Sequence, residues 1–323
     1  MLAVLTCDTG DESAGHLERG LAQVVPHQEI TAIVNTGDDT VMHGLSISPD
    51  IDTVTYTLSD AIDPERGWGL RDETWRAMES LDRFAGVRPA GSHAGERWFN
   101  LGDNDLATHF YRTSRLAEGA TLADVTDEIR RAFGLAMRIV PMTNDPVSTM
   151  VHLAADDSVV SFQEYFVKLR HGVAVKRIEL RGVATARFID PSLVSDADIV
   201  VIAPSNPIVS IGPIRAIDGV DSLLAARRDS VVGISPIVAG AALKGPADRM
   251  LEELGFESTV VGVARLYAPV CGTLVIDEQD AHLRADVEAC GVRCVVTDTI
   301  MSKPGVGASL ARATIDAISR GGN

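Results

Sequence analysis

The chain has 323 residues and a formal net charge of −16, with 46% hydrophobic and 23% charged residues. Sequence-independent nucleic-acid binding and docking on anionic membranes both need basic surface, so this charge argues against both functions. No apolar run approaches the length of a membrane span and no signal peptide is visible, so we expect a cytoplasmic protein with a large core.

Strand and helix patterns alternate in the first and last parts of the chain. A short apolar run at Leu2–Thr6 precedes a helical pattern near His16–Val25, and a second strand pattern follows at Ile30–Val34. Further strand patterns lie at Asp198–Ala203, Ser230–Ile234, Thr273–Ile276 and Arg293–Val296, and helical patterns lie at Val220–Arg228, Pro246–Leu254, Ala281–Ala289 and Gly307–Ser319. This alternation predicts an α/β fold with a mostly parallel, three-layer sheet covered on both faces.

The middle of the chain has a different pattern. Helices are predicted at Arg71–Ala85, Asp105–Ala117 and Thr121–Phe133, and strands at Ser148–Ala154, Val159–Val167 and Lys176–Arg181. Thr121 and Asp124 have the spacing of a capping box, and Gly134 is a plausible stop signal. We therefore interpret residues 1–323 as a single unit in which about residues 60–195 form an inserted α+β lobe.

Negative charge is concentrated after the second predicted strand. The stretch N-T-G-D-D-T-V-M-H-G-L-S-I-S-P-D-I-D-T, residues 35–53, holds the four carboxylates of Asp38, Asp39, Asp50 and Asp52. Two carboxylates about 4 Å apart repel each other by about 4 kcal/mol at an effective dielectric constant of about 20. Converging aspartates would therefore have to bind protons or share a cation.

Neutral hydrogen-bonding residues follow two later strands. The stretch A-P-S-N-P-I-V-S-I-G-P-I, residues 203–214, contains Ser205, Asn206 and Ser210, and I-S-P-I-V-A-G, residues 234–240, contains Ser235. Ligands of open parallel sheets bind beyond the carboxyl ends of the strands, and hydroxyl and backbone N–H groups suit a phosphate or nucleoside. An acidic strand end that faces a phosphate pocket suggests phosphoryl chemistry assisted by Mg²⁺.

Each of these stretches also has a purely structural interpretation. N-T-G-D-D suits a turn, S-P-D-I-D-T suits the entry to a helix, and S-N-P suits a loop whose prolines stop a strand. Three polar loops at three strand ends are together less easily explained by structure alone.

Three further segments carry candidate residues. L-G-D-N-D-L-A-T-H, residues 101–109, contains Asp103, Asp105 and His109, and the histidine is either a base or ligand or a structural helical residue. R-G-W-G-L-R-D-E-T, residues 66–74, is either a clamp for a ring or phosphate or a rigid loop. Lys244 is either an anion contact at a helix start or a surface residue.

The four cysteines are Cys7, Cys271, Cys290 and Cys294, and none forms a C-x-x-C pair. The C-x3-C pair at Cys290 and Cys294 has no second pair to complete a zinc site. We therefore expect reduced thiols, not a zinc site or a disulfide framework.

Taken in order, the motifs resemble those of the 2-phospho-L-lactate transferase family of coenzyme F-420 biosynthesis. The matching motifs are N-T-G-D-D, S-P-D-I-D-T-V-T-Y-T-L-S-D, R-G-W-G, L-G-D-N-D-L-A-T-H, P-M-T-N-D-P-V-S-T, F-Q-E-Y-F-V, A-P-S-N-P-I-V-S-I-G-P-I and S-P-I-V-A-G. They run from about Ile30 to Asp248.

The resemblance implies a Rossmann-like core with an inserted lobe, usually as a homodimer. It implies a Mg²⁺-dependent phosphotransferase that acts on two small-molecule substrates. A phospholactyl, phosphoenolpyruvyl or phosphoglyceryl group moves from a guanosine-diphospho donor to the ribityl hydroxyl of the deazaflavin Fo, and GMP is released.

The resemblance also assigns roles to residues of this sequence. We expect Asp39, Asp50 and Asp52 to be catalytic, holding Mg²⁺ or orienting the hydroxyl. The expected contacts to Fo are Asp52, Asn100, Asp103 and His109. The expected contacts to the guanosine diphosphate are Thr9, Gly10, Asn35, Ser205, Asn206, Ser210 and Ser235.

The first loop departs from the family. Members typically have G-G-T-G after the first strand, whereas T-C-D-T-G-D-E-S-A-G keeps Gly10 but has Cys7 and Asp8 in place of the paired glycines. A Cβ at Asp8 hinders close backbone approach, and its carboxylate repels a pyrophosphate. Either a metal bridges the two, or the loop points away, or the nucleotide binds weakly or differently.

This departure leaves a second hypothesis open, a nucleotide-sugar-binding regulatory protein of the same superfamily without transferase activity. Such proteins usually have D-D-G-G-S-S-G, whereas this chain has D-D-T-V-M-H-G at residues 38–44 and keeps P-D-I-D-T, which favours the transferase. A nicotinamide-dependent dehydrogenase is disfavoured because residues 7–15 supply no G-x-G-x-x-G.

Overall fold

The structure is a computed structural model that describes residues 1–7, 13–243 and 245–319. The strands are β1 (Leu2–Thr6), β2 (Ile30–Val34), β3 (Thr40–Met42), β4 (Leu45–Ile47), β5 (Arg138–Pro141), β6 (Ser148–Leu153), β7 (Val159–Ser161), β8 (Val175–Arg181), β9 (Ile199–Ile202), β10 (Val231–Ile234), β11 (Ile237–Val238), β12 (Ala241–Ala242), β13 (Thr273–Ile276) and β14 (Arg293–Val296). The α-helices are α1 (Ser13–Ala22), α2 (Pro49–Leu58), α3 (Arg76–Ser80), α4 (Asp105–Ala117), α5 (Leu122–Ala132), α6 (Ser192–Ser195), α7 (Ile211–Ala216), α8 (Val220–Ala226), α9 (Ala247–Glu253), α10 (Val260–Tyr267), α11 (Arg284–Ala289) and α12 (Val306–Ser319).

Seven strands form a central sheet in the order β14-β13-β10-β9-β1-β2-β5, and every neighbouring pair is parallel. The predicted α/β fold with a parallel, Rossmann-like sheet is therefore confirmed. The chain builds the sheet outward from β1 through β2 to β5, and then from β9 through β10 and β13 to β14 on the other side. The strand order thus reverses between β1 and β9, which is where such sheets bind ligands.

Alternating side chains of the buried strands pack on two helical layers. Leu2 and Val4 of β1 share one core with Leu17 and Leu21 of α1 and with Leu310 of α12. Their neighbours Ala3 and Leu5 point into the opposite core, which contains apolar residues of α7, α8, α10 and α11. Both faces of the sheet are therefore covered, as its β-branched strands require. Within the described residues, we find no helix long and apolar enough to cross a membrane.

The chain between β2 and β9 builds the surroundings of the sheet's carboxyl edge. It forms the β3–β4 hairpin, helices α2 to α5, and a three-stranded antiparallel sheet in the order β7-β6-β8. It also supplies β5, the edge strand next to β2. The proposed inserted lobe of about residues 60–195 therefore includes one strand of the central sheet.

Three predicted elements are wrong in type or extent. The strand predicted at Val159–Val167 ends at Ser161 and is followed by a π-helix at Glu164–Lys168, because Phe162, Tyr165 and Phe166 pack at helical spacing in one apolar cluster. The helix predicted at Arg71–Ala85 contains only α3 and a 3-10 helix at Leu81–Phe84. The helix predicted at Ala281–Ala289 is a 3-10 helix at Glu278–Leu283 followed by α11.

The predicted capping box is confirmed at the start of α5. The Thr121 hydroxyl accepts a hydrogen bond from the Asp124 backbone N–H, and the Asp124 carboxylate accepts one from the Thr121 backbone N–H. Gly134, the predicted stop, has a φ of 73°, a left-handed conformation that glycine adopts without steric cost. The four cysteines carry free thiols, and those of Cys7, Cys271 and Cys294 are buried.

Candidate active site

The candidate site lies at the carboxyl edge of the central sheet, beside the reversal of strand order. Cys7 follows β1, Asn35 follows β2, and Ser205 follows β9 by three residues. The Ser205 hydroxyl donates a hydrogen bond of 2.7 Å to the Cys7 carbonyl oxygen, which ties the ends of β1 and β9 together. The residues that follow β1, β2 and β9 therefore meet at one place.

A buried acidic cluster lies at the ends of β1 and β2, and we call Cys7, Asn35, Asp38 and Asp50 the inner cluster. The Cys7 thiol donates to Asp50 Oδ2 over 3.1 Å, and the Asn35 amide donates to the same oxygen over 3.0 Å. Asn35 is itself held by the Gly37 backbone N–H, which donates to Asn35 Oδ1 over 2.9 Å. All four residues are buried.

Charge repulsion and burial act together on the acidic residues of this turn. Burial raises the pKa of Asp38 well above its usual range, and the neighbouring charges of Asp50 and Asp39 add to the rise. Burial also raises the pKa of Asp39 to about 8, although the Ser48 hydroxyl donates to Asp39 Oδ2 over 2.7 Å and opposes the rise. The turn therefore favours either bound protons or a bound cation.

A second group of charged side chains lies beside the start of α2, and we call Asp52, Asp105, His109 and Arg112 the charged quartet. Asp105 is half-buried, and the other three are buried. Arg112 Nη1 donates to Asp52 Oδ2 over 3.0 Å, and its Nη2 donates to Asp52 Oδ1, so the pair is bidentate. His109 Nδ1 lies 3.7 Å from Asp52 Oδ2, and His109 Nε2 lies 3.2 Å from Asp105 Oδ2. Arg112 is fully buried, so this guanidinium serves as an internal counter-charge for Asp52.

One helix supplies three members of the charged quartet. Asp105, His109 and Arg112 are four and three residues apart on α4, so they share one face. The Tyr56 hydroxyl donates to Asp105 Oδ1 over 2.6 Å. Burial alone would raise the pKa of Asp105, but the interaction with His109 and the Tyr56 hydroxyl outweigh it and lower the pKa. Asp105 therefore stays ionised.

An aromatic cleft opens beside the charged quartet. It encloses about 510 Å³, and its aromatic lining residues are Tyr56, Trp68, Trp98, Phe99 and Phe166. Its polar lining residues include Asp52, Asn100 and His109, which are three of the four residues expected to contact Fo. Flat aromatic walls with a few convergent polar groups suit a planar ring system.

A smaller cavity of about 50 Å³ lies beyond the ends of β9 and β10. Its lining includes Asn206, Ser210 and Ser235, three of the residues expected to hold the nucleotide. Phe166 lines both this cavity and the aromatic cleft, so the two spaces have one wall residue in common.

The structure divides the predicted catalytic aspartates between two places. Asp50 belongs to the inner cluster, and Asp52 belongs to the charged quartet. Asp39 lies close enough to both for their charges to raise its pKa. Groups of ligand atoms within 4.8 Å of one another are formed by Cys7, Asp38 and Asp50, and by Asp52, Asp105 and His109.

Some predicted site residues already have structural partners. The Asp103 carboxylate caps α3 by accepting from the Arg76 and Ala77 backbone N–H groups, each over 3.0 Å. Asn206 Oδ1 accepts from the Ile208 N–H over 2.9 Å, and the Ser235 hydroxyl closes a local turn with Ile237. Thr9, Gly10 and Lys244 lie outside the described residues.

Several site residues were missed by the sequence reasoning. Arg112 is the clearest case, because its spacing from Asp105 and His109 places it on the same helical face. Phe166 lies in the segment predicted as a strand at Val159–Val167. Asp38 belongs to the acidic stretch, but the catalytic roles were predicted for Asp39, Asp50 and Asp52. Tyr56 gives no local signal, since its role depends on contact with α4.

The parallel sheet, the polar strand ends and the aromatic cleft define a Rossmann-like α/β protein with a ligand site at the carboxyl edge. A sequence model of the family described as 2-phospho-L-lactate transferase CofD matches residues 9–311. The chain belongs to this 2-phospho-L-lactate transferase family, and it is therefore a transferase.

Individual relatives agree with this assignment. The chain is 40% identical to the phosphoenolpyruvate transferase of Streptomyces griseus over 303 residues, which cover 92% of this chain and 93% of that protein. It is 39% identical to that of Kitasatospora aureofaciens over 301 residues, 91% of each chain. It is 40% identical to that of Mycobacterium avium over 295 residues, which cover 88% and 84%.

Solved structures support the fold at greater distance. A protein of the UPF0052 family from Bacillus halodurans superposes with a TM-score of 0.58 at 15% identity, covering 97% of this chain and 98% of that chain. A second structure of a Bacillus halodurans protein gives a TM-score of 0.61, also at 15% identity. This likeness shows a shared architecture.

Proposed function

We propose that this protein transfers a phosphoenolpyruvyl group from a guanosine-diphospho donor to the ribityl hydroxyl of Fo, in coenzyme F-420 biosynthesis. Family membership supports the reaction class, and the names of the relatives at about 40% identity support phosphoenolpyruvate as the acid. The observation that carries the proposal is the aromatic cleft with Asp52, Asn100 and His109 on its wall.

We assign the two substrates to the two sides of this edge, where the aromatic cleft and the smaller cavity lie. The deazaflavin ring lies in the aromatic cleft between Trp68, Trp98 and Phe166, where stacking is favourable. The guanosine diphosphate lies toward Asn206, Ser210 and Ser235. Because Phe166 borders both cavities, the acceptor hydroxyl and the donor phosphorus meet beside this side chain.

The transfer step needs positioning and charge neutralisation more than a reactive side chain. The Fo hydroxyl oxygen attacks the phosphorus that bears the acid, the bond from that phosphorus to the bridging oxygen breaks, and GMP leaves. Asp52 accepts a hydrogen bond from the attacking hydroxyl and then its proton. The Arg112 guanidinium fixes the Asp52 carboxylate in place for this role.

The carboxylates of the 38–50 segment fit a hard divalent cation. Among the described residues, Asp38 has no hydrogen-bond partner for either carboxylate oxygen, and Asp39 has none for Oδ1. Of the three aspartates expected to hold Mg²⁺, Asp52 is already paired with Arg112. We therefore assign the ion to the other two, Asp39 and Asp50. Bound Mg²⁺ would neutralise charge on the diphosphate.

The direct test is product formation. The protein is incubated with Fo, Mg²⁺ and, in separate reactions, the phosphoenolpyruvyl, phospholactyl and phosphoglyceryl donors. We expect GMP and a mass-shifted deazaflavin, with the phosphoenolpyruvyl donor fastest. Folded protein that makes no product with any donor would refute the proposal, as would tight uridine-nucleotide binding without binding of Fo.

The site assignment is tested by titration with Fo, whose fluorescence reports binding. Asn100→Ala removes one polar group of the cleft and should raise the Kd about tenfold, equivalent to about 1.4 kcal/mol. Gln28→Ala, an exposed amide outside the cleft, is the matched control and should leave the Kd unchanged. Equal Kd values for both variants would exclude the aromatic cleft as the Fo site.

A further inference from the structure

Three side chains of the inner cluster form a candidate cation site with a sulfur ligand. Cys7 Sγ and one carboxylate oxygen each from Asp38 and Asp50 lie within 4.8 Å of one another. They come from three elements, namely the end of β1, the turn after β2 and the first turn of α2. Their exposed fractions are only 1%, 3% and 1%, so water competes little for them.

An unsatisfied group points into this cluster. Both carboxylate oxygens of Asp38 are buried and lack a hydrogen-bond partner within the part of the chain that the structure describes. A buried carboxylate without a partner is costly, and a second carboxylate within reach increases the cost. A cation beside Asp38 would give that carboxylate a partner and offset its repulsion with Asp50.

The donor set selects the kind of cation. Mg²⁺ prefers oxygen ligands, whereas a thiolate favours Zn²⁺ or another borderline or soft ion. Three protein ligands leave a fourth position of a tetrahedral ion open, as in catalytic zinc sites. We propose that Cys7, Asp38 and Asp50 bind a thiophilic divalent cation of the Zn²⁺ class.

Asn35 acts as a positioning residue for this site. Its amide donates to Asp50 Oδ2 over 3.0 Å and reaches Cys7 Sγ at 3.8 Å, while the Gly37 N–H fixes its oxygen. Such outer contacts orient metal ligands. When the ion binds, the Cys7 thiol releases its proton to solvent, and a metal–sulfur bond replaces its hydrogen bond to Asp50.

This site is distinct in its ligands from the Mg²⁺ site proposed above. Only Asp50 is common to the two, and one carboxylate can serve two cations, as in two-metal phosphoryl-transfer sites. The sulfur ligand lies where members of the family typically have a glycine in the first loop.

The test is a titration of the metal-free full chain with Co²⁺, without substrates, so its outcome does not depend on the proposed transferase reaction. We expect a thiolate-to-cobalt charge-transfer band that saturates at one Co²⁺ per chain and survives an equal concentration of Mg²⁺. Cys7→Ser should abolish the band, Asp38→Asn should weaken binding strongly, and Asn35→Ala should weaken it about 10–100-fold.

Cys290→Ser is the matched control, because that thiol is only partly buried and lies outside the cluster, and the band should persist. Circular dichroism checks the fold of each variant, and Cys7→Gly replaces Cys7→Ser if the serine variant does not fold. The proposal is overturned if wild type shows no band, if the band survives loss of Cys7, or if Mg²⁺ displaces Co²⁺ at equal concentration.

Discussion

Glu18 shows how one buried carboxyl group influences stability. It lies on α1, is fully buried, and faces the Thr6 hydroxyl at the end of β1. Burial raises the pKa of Glu18 from 4.5 to about 8, and Thr6 offsets only part of this rise. The side chain is therefore neutral in the folded protein at neutral pH.

We predict that Glu18 lowers stability as the pH rises. The unfolded chain loses the proton near pH 4.5, whereas the folded chain keeps it to about pH 8, so the free energy of unfolding falls across this window. The slope is about 1.4 kcal/mol per pH unit. Glu18→Gln removes the effect, so urea unfolding should show equal stability near pH 4 and a clearly more stable variant at pH 8.

Glu29→Gln is the control for this experiment, because Glu29 is exposed. Its stability curve should follow that of wild type at every pH. A constant difference between Glu18→Gln and wild type from pH 4 to pH 8 would contradict the assigned shift.

At the residue scale, the sequence predicts which polar residues come close together better than it predicts their partners. The sequence places Asp39, Asp50 and Asp52 in one acidic stretch after β2, and the structure divides them between the turn after β2 and the two sides of the start of α2. Asp52 is held in its group by Arg112, which lies 60 positions later in the chain. Local sequence does not encode such a contact.

At the scale of elements, α4 begins without a cap of its own. Asn104 precedes the helix but provides no side-chain cap. Glu73, from a distant loop, accepts hydrogen bonds from the Asn104 N–H over 2.8 Å and the Asp105 N–H over 2.7 Å. This carboxylate also places negative charge at the positive end of the helix dipole. It therefore holds the helix that carries Asp105, His109 and Arg112.

We predict that Glu73→Ala weakens both stability and acceptor binding. Loss of a helix cap costs about 1 kcal/mol, and release of the first turn moves Asp105 and His109 relative to the aromatic cleft. Chemical denaturation measures the first effect, and the Kd for Fo measures the second. Glu79→Ala, an exposed glutamate on α3, should change neither quantity. An unchanged Kd with reduced stability would limit Glu73 to a structural role.

Prediction succeeded for elements whose local pattern matches their environment. The bounds of β2, β13, β14 and α4 agree with the predictions, and those of α5 and α9 agree to within one residue at each end. Helix α10 was missed because it is apolar nearly all round and lacks a polar face. The π-helix was not predicted because its apolar residues follow those of β7 almost without interruption in the sequence. The change from strand to helix is set by the packing of Phe162 and Tyr165 in one apolar cluster.

At the scale of the whole molecule, α1 and α12 connect the two halves of the sheet. Helix α1 follows β1, and α12 closes the same face over β9, β10 and β13. The two helices contact each other at two glycines, where a Cβ on Gly20 would lie 2.3 Å from the Gly307 carbonyl oxygen. Only a residue without a side chain fits this crossing.

We predict that Gly20→Ala destabilises the entire fold. The backbone of Gly307 cannot yield as a flexible side chain would, so the helices must separate, at a cost of about 1–3 kcal/mol. Urea unfolding should show one cooperative transition at a lower midpoint. Ser309→Ala, at an exposed position of α12, adds no contact and should leave the midpoint nearly unchanged. A Gly20→Ala protein as stable as wild type would argue against tight packing at this crossing.

The enclosed pair of Arg112 and Asp52 has a consequence for how this protein can diverge. Replacing either residue alone leaves the charge of the other buried without a partner, which costs about 3–5 kcal/mol. This cost is a large part of the free energy of unfolding of an ordinary protein. A substitution at only one of the two positions is therefore removed by selection before a compensating substitution occurs at the other. Descendants of this chain should keep both residues or exchange both together.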